Sequence, residues 1–277
     1  MEQITDPVAE HGEGPVWMRG GLYWVDMLAG DMLALDPRTG GVTRTHLDTV
    51  AAVIRPRVSG GLVVAVENGF LLLDAEGGEE RRIPVLGAGV RMNEGACDPD
   101  GRFYAGSMAW DASPGRGALY RLDPDGSVHT VLSEVTISNG LGWSPDGATA
   151  YYVDTPTGRI DAFDYDPSTG LTGRRRFAVI DDEHGRPDGL TVDREGYVWV
   201  ALWGGGAVHR YAPDGRLDAR LPVPAAQVTA CTFGGPDLRD LYVTTSRLGL
   251  ADAEPLAGAV FRQRVGVSGL PTTAFAH

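Results

Sequence analysis

Cysteine is scarce in this sequence, and its scarcity argues against a disulfide-stabilised fold. Only Cys97 and Cys231 occur among the 277 residues. Two cysteines do not make a disulfide framework, and these two lack the close spacing of a zinc knuckle. Each lies in an apolar, strand-like run, so we expect two buried free thiols.

Positive charge is also in short supply. The chain has 24 Lys and Arg residues against 37 Asp and Glu, a formal net charge of −13. Phosphate binding needs a concentrated basic surface, so we expect no nucleic-acid partner. No apolar run approaches the roughly 18 residues of a membrane span, and the first residues lack the basic and apolar regions of a secretory signal. We therefore expect a cytoplasmic protein with no membrane partner, as a monomer or weak homo-oligomer.

Helical periodicity over ten or more residues is hard to find, which argues against layered α/β folds. What recurs instead is a short run of aromatic and β-branched residues after a small-residue turn. When one residue of each run is taken as equivalent, successive intervals are 40, 40, 48, 47 and 44 residues. The equivalent residues are Trp24, Val64, Tyr104, Tyr152, Trp199 and Val243. Intervals of this length are typical of propeller blades.

Each run is followed by a second unit that extends, turns and extends again. In one example, residues 117–122 lead into the turn Asp123-Pro124-Asp125-Gly126, and Pro-Asp-Gly supplies the backbone angles of a tight turn. Each repeat thus indicates four short antiparallel strands, and six repeats predict an all-β, six-bladed β-propeller in a single domain, 1–277. We expect N- and C-terminal strands to close the ring, with the residues before Gly12 pairing with 271–276, because an open seam would expose unpaired strand edges.

In a propeller, the first strand of each blade lines the central channel, so the leading ends of these strands meet at one mouth. Counting back five residues from the turn after each first strand gives Glu13, Val53, Asn93, Asn139, Asp188 and Thr229. Four of these six carry carboxylate or amide oxygens. Converging like charges raise one another's pKa, so we expect a divalent cation, and oxygen ligands without His or Cys favour Ca²⁺, Mg²⁺ or Mn²⁺ over zinc. The alternative is that these Asn-Gly and Asp-Gly pairs are only turn residues.

Five short motifs are informative in combination. They are Gly12-Glu13-Gly14-Pro15-Val16-Trp17, Arg91-Met92-Asn93-Glu94-Gly95, Ser138-Asn139-Gly140-Leu141, Pro187-Asp188-Gly189 and Cys231-Thr232-Phe233-Gly234-Gly235. Together they resemble the regucalcin (senescence marker protein) and gluconolactonase family of six-bladed propellers, over nearly the whole chain. The resemblance implies one divalent metal held by Glu13, Asn139 and Asp188. Ca²⁺ is the first expectation, with Mg²⁺, Mn²⁺, Zn²⁺ or Fe²⁺ as alternatives.

The same resemblance implies roles for the residues around that metal. Arg91 and Asn93 are implied to bind a sugar lactone, Asp111 to supply a further substrate-binding carboxylate, and Asp188 to act as the general base. Glu94 stands where the family commonly has Asp, and we expect it near the substrate, as a second candidate base. The loop that follows Asp111, residues 112–116, is short, which leaves the substrate specificity open.

The predicted function is metal-dependent hydrolysis of aldonolactones, such as glucono-1,5-lactone, to aldonic acids. The metal would polarise the carbonyl, and Asp188 would take the proton of the attacking water. Covalent catalysis is unsupported, since the chain has no Gly-x-Ser-x-Gly elbow. Two alternatives remain open: a non-catalytic calcium-binding or regulatory propeller, and a metal-dependent esterase or phosphotriesterase that acts on a non-sugar substrate.

Overall fold

The computed structural model describes residues 1–250 and 254–277, and β-strands account for almost all of their regular structure. The strands form six sheets, each of four antiparallel strands. Blade I contains β2 (Gly12–Met18), β3 (Gly21–Asp26), β4 (Asp31–Leu35) and β5 (Val42–His46). Blade II contains β6 (Ala51–Pro56), β7 (Leu62–Val66), β8 (Gly69–Leu73) and β9 (Glu79–Pro84). Blade III contains β10 (Val90–Cys97), β11 (Phe103–Ala109), β12 (Gly117–Leu122) and β13 (Val128–Val135).

Blades IV to VI complete the ring. Blade IV contains β14 (Ser138–Trp143), β15 (Thr149–Asp154), β16 (Arg159–Asp166) and β17 (Gly170–Val179). Blade V contains β18 (Arg186–Val192), β19 (Val198–Trp203), β20 (Ala207–Tyr211) and β21 (Leu217–Pro222). Blade VI contains β22 (Val228–Gly234), β23 (Asp240–Thr245), β24 (Phe261–Arg264) and the N-terminal β1 (Glu2–Gln3). The six-bladed fold with four antiparallel strands per blade is therefore confirmed.

In the described part of the chain, three single-turn 3₁₀ helices interrupt the strands, at Met27–Ala29, Thr155–Thr157 and Asp182–His184. Within the described ranges, no helix has the length and apolar character needed to cross a membrane.

The hydrophobic core lies between neighbouring blades, because each sheet buries both of its faces against the next. The predicted aromatic and β-branched runs fall in the second strand of every blade, where Trp24, Tyr104 and Tyr152 are fully buried. Aromatic contacts join the blades, such as Phe70 with Phe103 at 5.7 Å between ring centroids. This packing fixes the six first strands, β2, β6, β10, β14, β18 and β22, around the central channel.

The closure of the ring differs from the expected pairing. In the structure, β1 pairs with β24, with Glu2 opposite Arg262. The prediction that residues 271–276 pair with the N-terminal residues was wrong. Phe275 instead forms a parallel bridge with Arg57, because its ring is fully buried in the core shared by blades I to III.

The segment 268–276, here called the C-terminal strap, crosses the end of the ring where the first strands finish. Gly269 bridges to Asp193 of blade V. The Thr272 hydroxyl donates to the Trp17 carbonyl at 2.8 Å, and the Ala276 N–H donates to the Gly101 carbonyl at 2.8 Å. The strap therefore contacts blades on several sides of the channel. We call this end the lower end, and the end where the first strands begin the upper mouth.

Candidate functional site

All six first strands break register with their neighbour close to the upper mouth. The breaks lie between Glu13 and Val16, Ala51 and Val53, Met92 and Gly95, Ser138 and Leu141, Pro187 and Leu190, and Val228 and Ala230. Such β-bulges bend a strand and re-aim its side chains, and they are frequent beside functional sites. The six positions predicted from the repeat register therefore lie at or beside six bulges.

The glycines after these positions serve close packing. A Cβ on Gly140 would lie 2.6 Å from the Asp188 carbonyl oxygen, and a Cβ on Gly189 would lie 2.5 Å from the Ala230 Cβ. Neither glycine has a positive φ. The interpretation of Asn139-Gly140 and Asp188-Gly189 as turn residues is thus wrong, because these glycines allow neighbouring first strands to approach each other.

The ring positions are buried around the channel. Glu13 is 2% exposed, Asp188 4%, and Asn93 and Asn139 5% each. On the remaining sides, Val53 is fully buried, and the Thr229 hydroxyl donates a hydrogen bond to the Gly12 carbonyl at 2.6 Å. The polar groups open to a ligand therefore lie on the side formed by blades I, III, IV and V.

Two oxygen atoms in this ring have no hydrogen-bond partner among the residues that the structure describes. The Asn139 side chain donates from Nδ2 to Thr155 Oγ1 at 3.0 Å, which leaves its Oδ1 buried and unpartnered. The Oδ1 of Asp188 is in the same condition, and Glu13 Oε2 accepts only the adjacent Gly14 N–H, at 3.1 Å. Buried acceptors are nearly always satisfied in proteins, so these oxygens are candidates to bind water or a ligand.

The electrostatics lead to the same conclusion. Burial, followed by repulsion from Asp188 and Glu94, raises the pKa of Glu13 well above its ordinary value. Burial and the Glu94 charge likewise raise the pKa of Asp188, partly offset by Asn139, the Gly189 N–H and Arg91. Three carboxyl groups are thus gathered where a cation would lower the cost of ionising them.

A divalent cation fits this donor set. Glu13 and Asp188 supply carboxylate oxygens and Asn139 an amide oxygen, which are the donors that Ca²⁺ and Mg²⁺ prefer. Within the described ranges, no group of three or more His, Cys, Asp or Glu side chains is placed to hold a metal, so a site with three protein ligands here would have to include the amide. Water or substrate would have to complete the coordination shell.

Arg91 is held beside these oxygens by one of its nitrogens. Its Nη1 donates to Asn93 Oδ1 at 2.7 Å, to the Met92 carbonyl at 3.0 Å and to Met27 Sδ at 3.1 Å. Asn93 in turn donates from Nδ2 to the Ser138 carbonyl at 2.9 Å. Burial lowers the pKa of Arg91 to about 10, with opposing contributions from Glu13 and Asp188. The guanidinium therefore remains charged at neutral pH.

The other two predicted substrate residues are placed differently. Asp111 is exposed, and its Oδ1 accepts the Ser113 N–H at 3.0 Å. In the part of the chain that is described, no hydrogen bond joins Asp111 to the other predicted residues. Glu94 is buried, with Oε1 3.7 Å from Arg55 Nη2 and Oε2 unpartnered, and burial raises its pKa to about 7. Glu94 lies deeper in the channel, where it lines a cavity of about 500 Å³ that extends to the lower end.

Sequence reasoning missed two residues that shape this site. His11 is buried, its Nδ1 lies 2.9 Å from Ser246 Oγ, and burial followed by the Arg91 charge lowers its pKa to about 4. It therefore stays neutral at neutral pH. The repeat register could have found His11, since it stands two residues before Glu13, as Arg91 stands two before Asn93. The second missed residue is Arg55, which partly offsets the charge of Glu94 and stands two residues after Val53.

These features define a six-bladed propeller whose upper mouth holds, among the described residues, unpaired oxygen atoms beside an arginine. The family model described as the SMP-30/Gluconolactonase/LRE-like region matches residues 11–247. The chain is 35% identical to a regucalcin of Xenopus laevis over 100% of this chain and 98% of that protein. It is 36% identical to a pentonolactonase of Haloferax volcanii over 98% of this chain and 96% of that protein.

A solved structure shows the same relationship. A calcium-binding regucalcin from Agrobacterium tumefaciens superposes with a TM-score of 0.92 at 30% identity, covering 100% of this chain and 98% of that one. The chain belongs to the SMP-30/gluconolactonase/LRE-like family. The resemblance found in the sequence motifs is therefore confirmed.

Proposed function

We propose that this protein is a metal-dependent sugar lactonase that opens aldonolactones, such as glucono-1,5-lactone, to aldonic acids. The observation that carries the proposal is the pair of buried oxygens on Asn139 and Asp188 that have no partner among the described residues. They lie beside Glu13, and the positive charge of Arg91 favours the ionised form of Asp188. Relatives named as lactonases, including the pentonolactonase of Haloferax volcanii, support the reaction class.

In this proposal, Glu13, Asn139 and Asp188 hold the metal. When bound there, a divalent cation would polarise the lactone carbonyl as a Lewis acid and would favour the ionised forms of Glu13 and Asp188. Ca²⁺ is the first candidate, because the ligands are all oxygen atoms and a similar structure is that of a calcium-binding regucalcin.

Asp188 then accepts the proton of the attacking water at a carboxylate oxygen. Its Oδ1 is buried and accepts no hydrogen bond from the described residues, so a water molecule bound beside it would satisfy this acceptor. A positioned general base contributes about 10²–10⁴-fold to such a reaction. Glu94 is placed less favourably, because it lies deeper in the channel and beside Arg55.

Arg91 binds the oxygen atoms of the lactone. Its Nη1 is already used by Met92, Asn93 and Met27, while no acceptor among the described residues takes its Nε or Nη2. The planar guanidinium can therefore present these donors to a ligand. Asn93 holds Arg91 and can contact a hydroxyl only through its remaining Nδ2 hydrogen and Oδ1 lone pair. Asp111 would contact a substrate from the exposed rim.

The test is lactone opening followed by proton release, corrected for spontaneous hydrolysis. The enzyme is treated with EDTA and then supplied with Ca²⁺, Mg²⁺, Mn²⁺, Zn²⁺ or Fe²⁺, against gluconolactone, galactonolactone, xylonolactone and arabinonolactone. We expect EDTA to abolish turnover and Asp188→Asn to reduce it by about 10³-fold. Asp214→Asn, in an exposed turn of the same blade, should leave turnover unchanged.

The same site would also suit a calcium-binding protein without enzymatic activity, a reading favoured by the calcium-binding structural relative. The assay separates the two functions. Binding of Ca²⁺ with no lactone opening above the spontaneous rate would overturn the proposed lactonase. Turnover that survives in Asp188→Asn would overturn the role of Asp188 as general base.

A further inference from the structure

Trp110 is an unusually exposed aromatic residue close to the candidate site. Its side chain is 48% exposed, whereas tryptophan is highly buried on average. It directly follows β11, and its backbone N–H donates to the Gly89 carbonyl at 3.1 Å. Its position next to the paired ends of β10 and β11 is thus fixed by the backbone.

The indole ring contacts Arg91. The Cζ atom of Arg91 lies 5.3 Å from the centre of the Trp110 ring, within the roughly 6 Å range of a cation–π interaction. An indole ring attracts the cation through its π-system without taking any of its N–H donors. Trp110 can therefore restrain the guanidinium while Nε and Nη2 remain open to a ligand.

Arg91 needs such a restraint. Its hydrogen bonds to Met92, Asn93 and Met27 all come from Nη1, so among the described contacts the guanidinium is tied at one nitrogen. A group anchored at one end can still rotate, and misorientation of a binding group weakens stabilisation of the transition state. Trp110 supplies a second contact on the solvent side.

We propose that Trp110 is a positioning residue that orients the Arg91 guanidinium toward the lactone. This proposal rests on the lactonase function. It assigns to Trp110 a role in the reaction that depends on the π-system of the side chain and is exerted through Arg91.

The test compares Trp110→Leu with Trp110→Phe. Leucine keeps an apolar side chain but has no π-system, while phenylalanine keeps a weaker one. We expect kcat/KM for gluconolactone to fall by about 5–30-fold in Trp110→Leu, the range that corresponds to a cation–π energy of about 1–2 kcal/mol. Trp110→Phe should recover most of this loss. Val58→Ala, which changes a hydrophobic residue that is 73% exposed at the lower end, is the matched control and should stay within about twofold.

A double-mutant cycle tests whether Trp110 acts through Arg91. In an Arg91→Gln background, Trp110→Leu should cause less than a twofold further loss. If turnover of Arg91→Gln is too slow to measure, the same cycle can be built from the binding affinity of each variant for gluconate, the expected product. Thermal unfolding of each variant checks that the fold is retained.

The outcomes separate this proposal from the proposed function. A wild-type protein that does not open lactones contradicts the lactonase itself. An active wild type with an unaffected Trp110→Leu variant, with Trp110→Phe as impaired as Trp110→Leu, or with additive effects in the cycle would overturn the role of Trp110 alone.

Discussion

Both ends of the central channel bury carboxylates, but the carboxylates at the two ends differ in how many hydrogen-bond partners they have. At the upper mouth, Glu13 and Asp188 are 2% and 4% exposed; near the lower end, Asp98 and Asp193 are fully buried. Asp188 and Asp193 are only five residues apart, at the beginning of β18 and in the turn after it. Burial alone therefore does not distinguish the two kinds of carboxylate.

Their hydrogen bonds do distinguish them. Asp193 accepts the Glu195 N–H at 2.9 Å, the Tyr197 N–H at 3.0 Å, Trp199 Nε1 at 2.8 Å and Arg210 Nη2 at 2.7 Å. This set satisfies both oxygens and fixes the turn after β18. Asp193 is thus a structural residue whose charge is compensated inside the protein.

Among the described residues, the upper carboxylates have no comparable set of partners. Glu13 Oε2 receives one backbone N–H and Asp188 Oδ1 receives none. Buried carboxylates with so few partners are typical of a site that an external ligand completes. The difference teaches that unsatisfied acceptors, rather than buried charge, distinguish the candidate site of this propeller.

The largest expected effect is on activity, at the upper mouth. Glu13→Gln keeps the size of the side chain but removes a negative charge, and we expect kcat/KM to fall by about 10³-fold, because several kcal/mol of metal-dependent stabilisation is lost. The metal-free variant should be at least as stable as wild type, since repulsion with Asp188 and Glu94 is relieved. Lactone turnover and urea unfolding measure the two quantities, and a loss of less than tenfold would contradict the assignment.

At the lower end, the effect should be on stability. Asp193→Asn weakens a buried ion pair with Arg210, and we expect the free energy of unfolding to fall by about 3 kcal/mol. At a temperature where the variant is folded, its kcat/KM should stay within about threefold of wild type. Urea unfolding and turnover of the same sample check this. An unchanged free energy of unfolding, or a loss of kcat/KM like that of Glu13→Gln, would contradict the structural role of Asp193.

A smaller effect is expected from Glu94, between the two ends. Its folded pKa of about 7 lies above the ordinary value of 4.5, so the folded protein retains a proton that the unfolded chain has lost. Its contribution to stability is therefore complete below about pH 4.5 and is lost as the pH rises through 7. Between pH 5 and 7 the metal-free protein should lose about 2 kcal/mol through this residue.

Urea unfolding of metal-free wild type and Glu94→Gln across that pH range isolates the contribution of Glu94 to the free energy of unfolding. The variant should lack the corresponding decline in stability. Parallel pH profiles for the two proteins would show that Glu94 is not the responsible group.

The repeat register made much of this structure predictable. A strand-and-turn unit with a constant offset between its leading residue and its turn places Glu13, Asn139 and Asp188 at equivalent positions before any coordinates are considered. The fold follows for the same reason, since the runs around Trp24, Tyr104 and Tyr152 repeat at blade length.

Other features depend on contacts that the register does not encode. Arg55 lies beside Glu94 because two different blades meet at the channel, and Trp110 lies over Arg91 because β11 ends one residue earlier. The register selects Asp188 and not Asp193 as a site residue, but it does not show that the charge of Asp193 is compensated inside the protein while that of Asp188 is not. Their distinction depends on Trp199 and Arg210, which belong to other strands of blade V.

The C-terminal strap gives the ring a property that its two-residue seam does not provide. Pairing of β1 with β24 is short, and strand ends of this kind fray readily. Because the strap joins Gly269, Thr272, Phe275 and Ala276 to four different blades, fraying of β1 leaves the blades tied to one another. The strap is therefore a second link between the blades, and it is formed at the end of the channel opposite to the upper mouth.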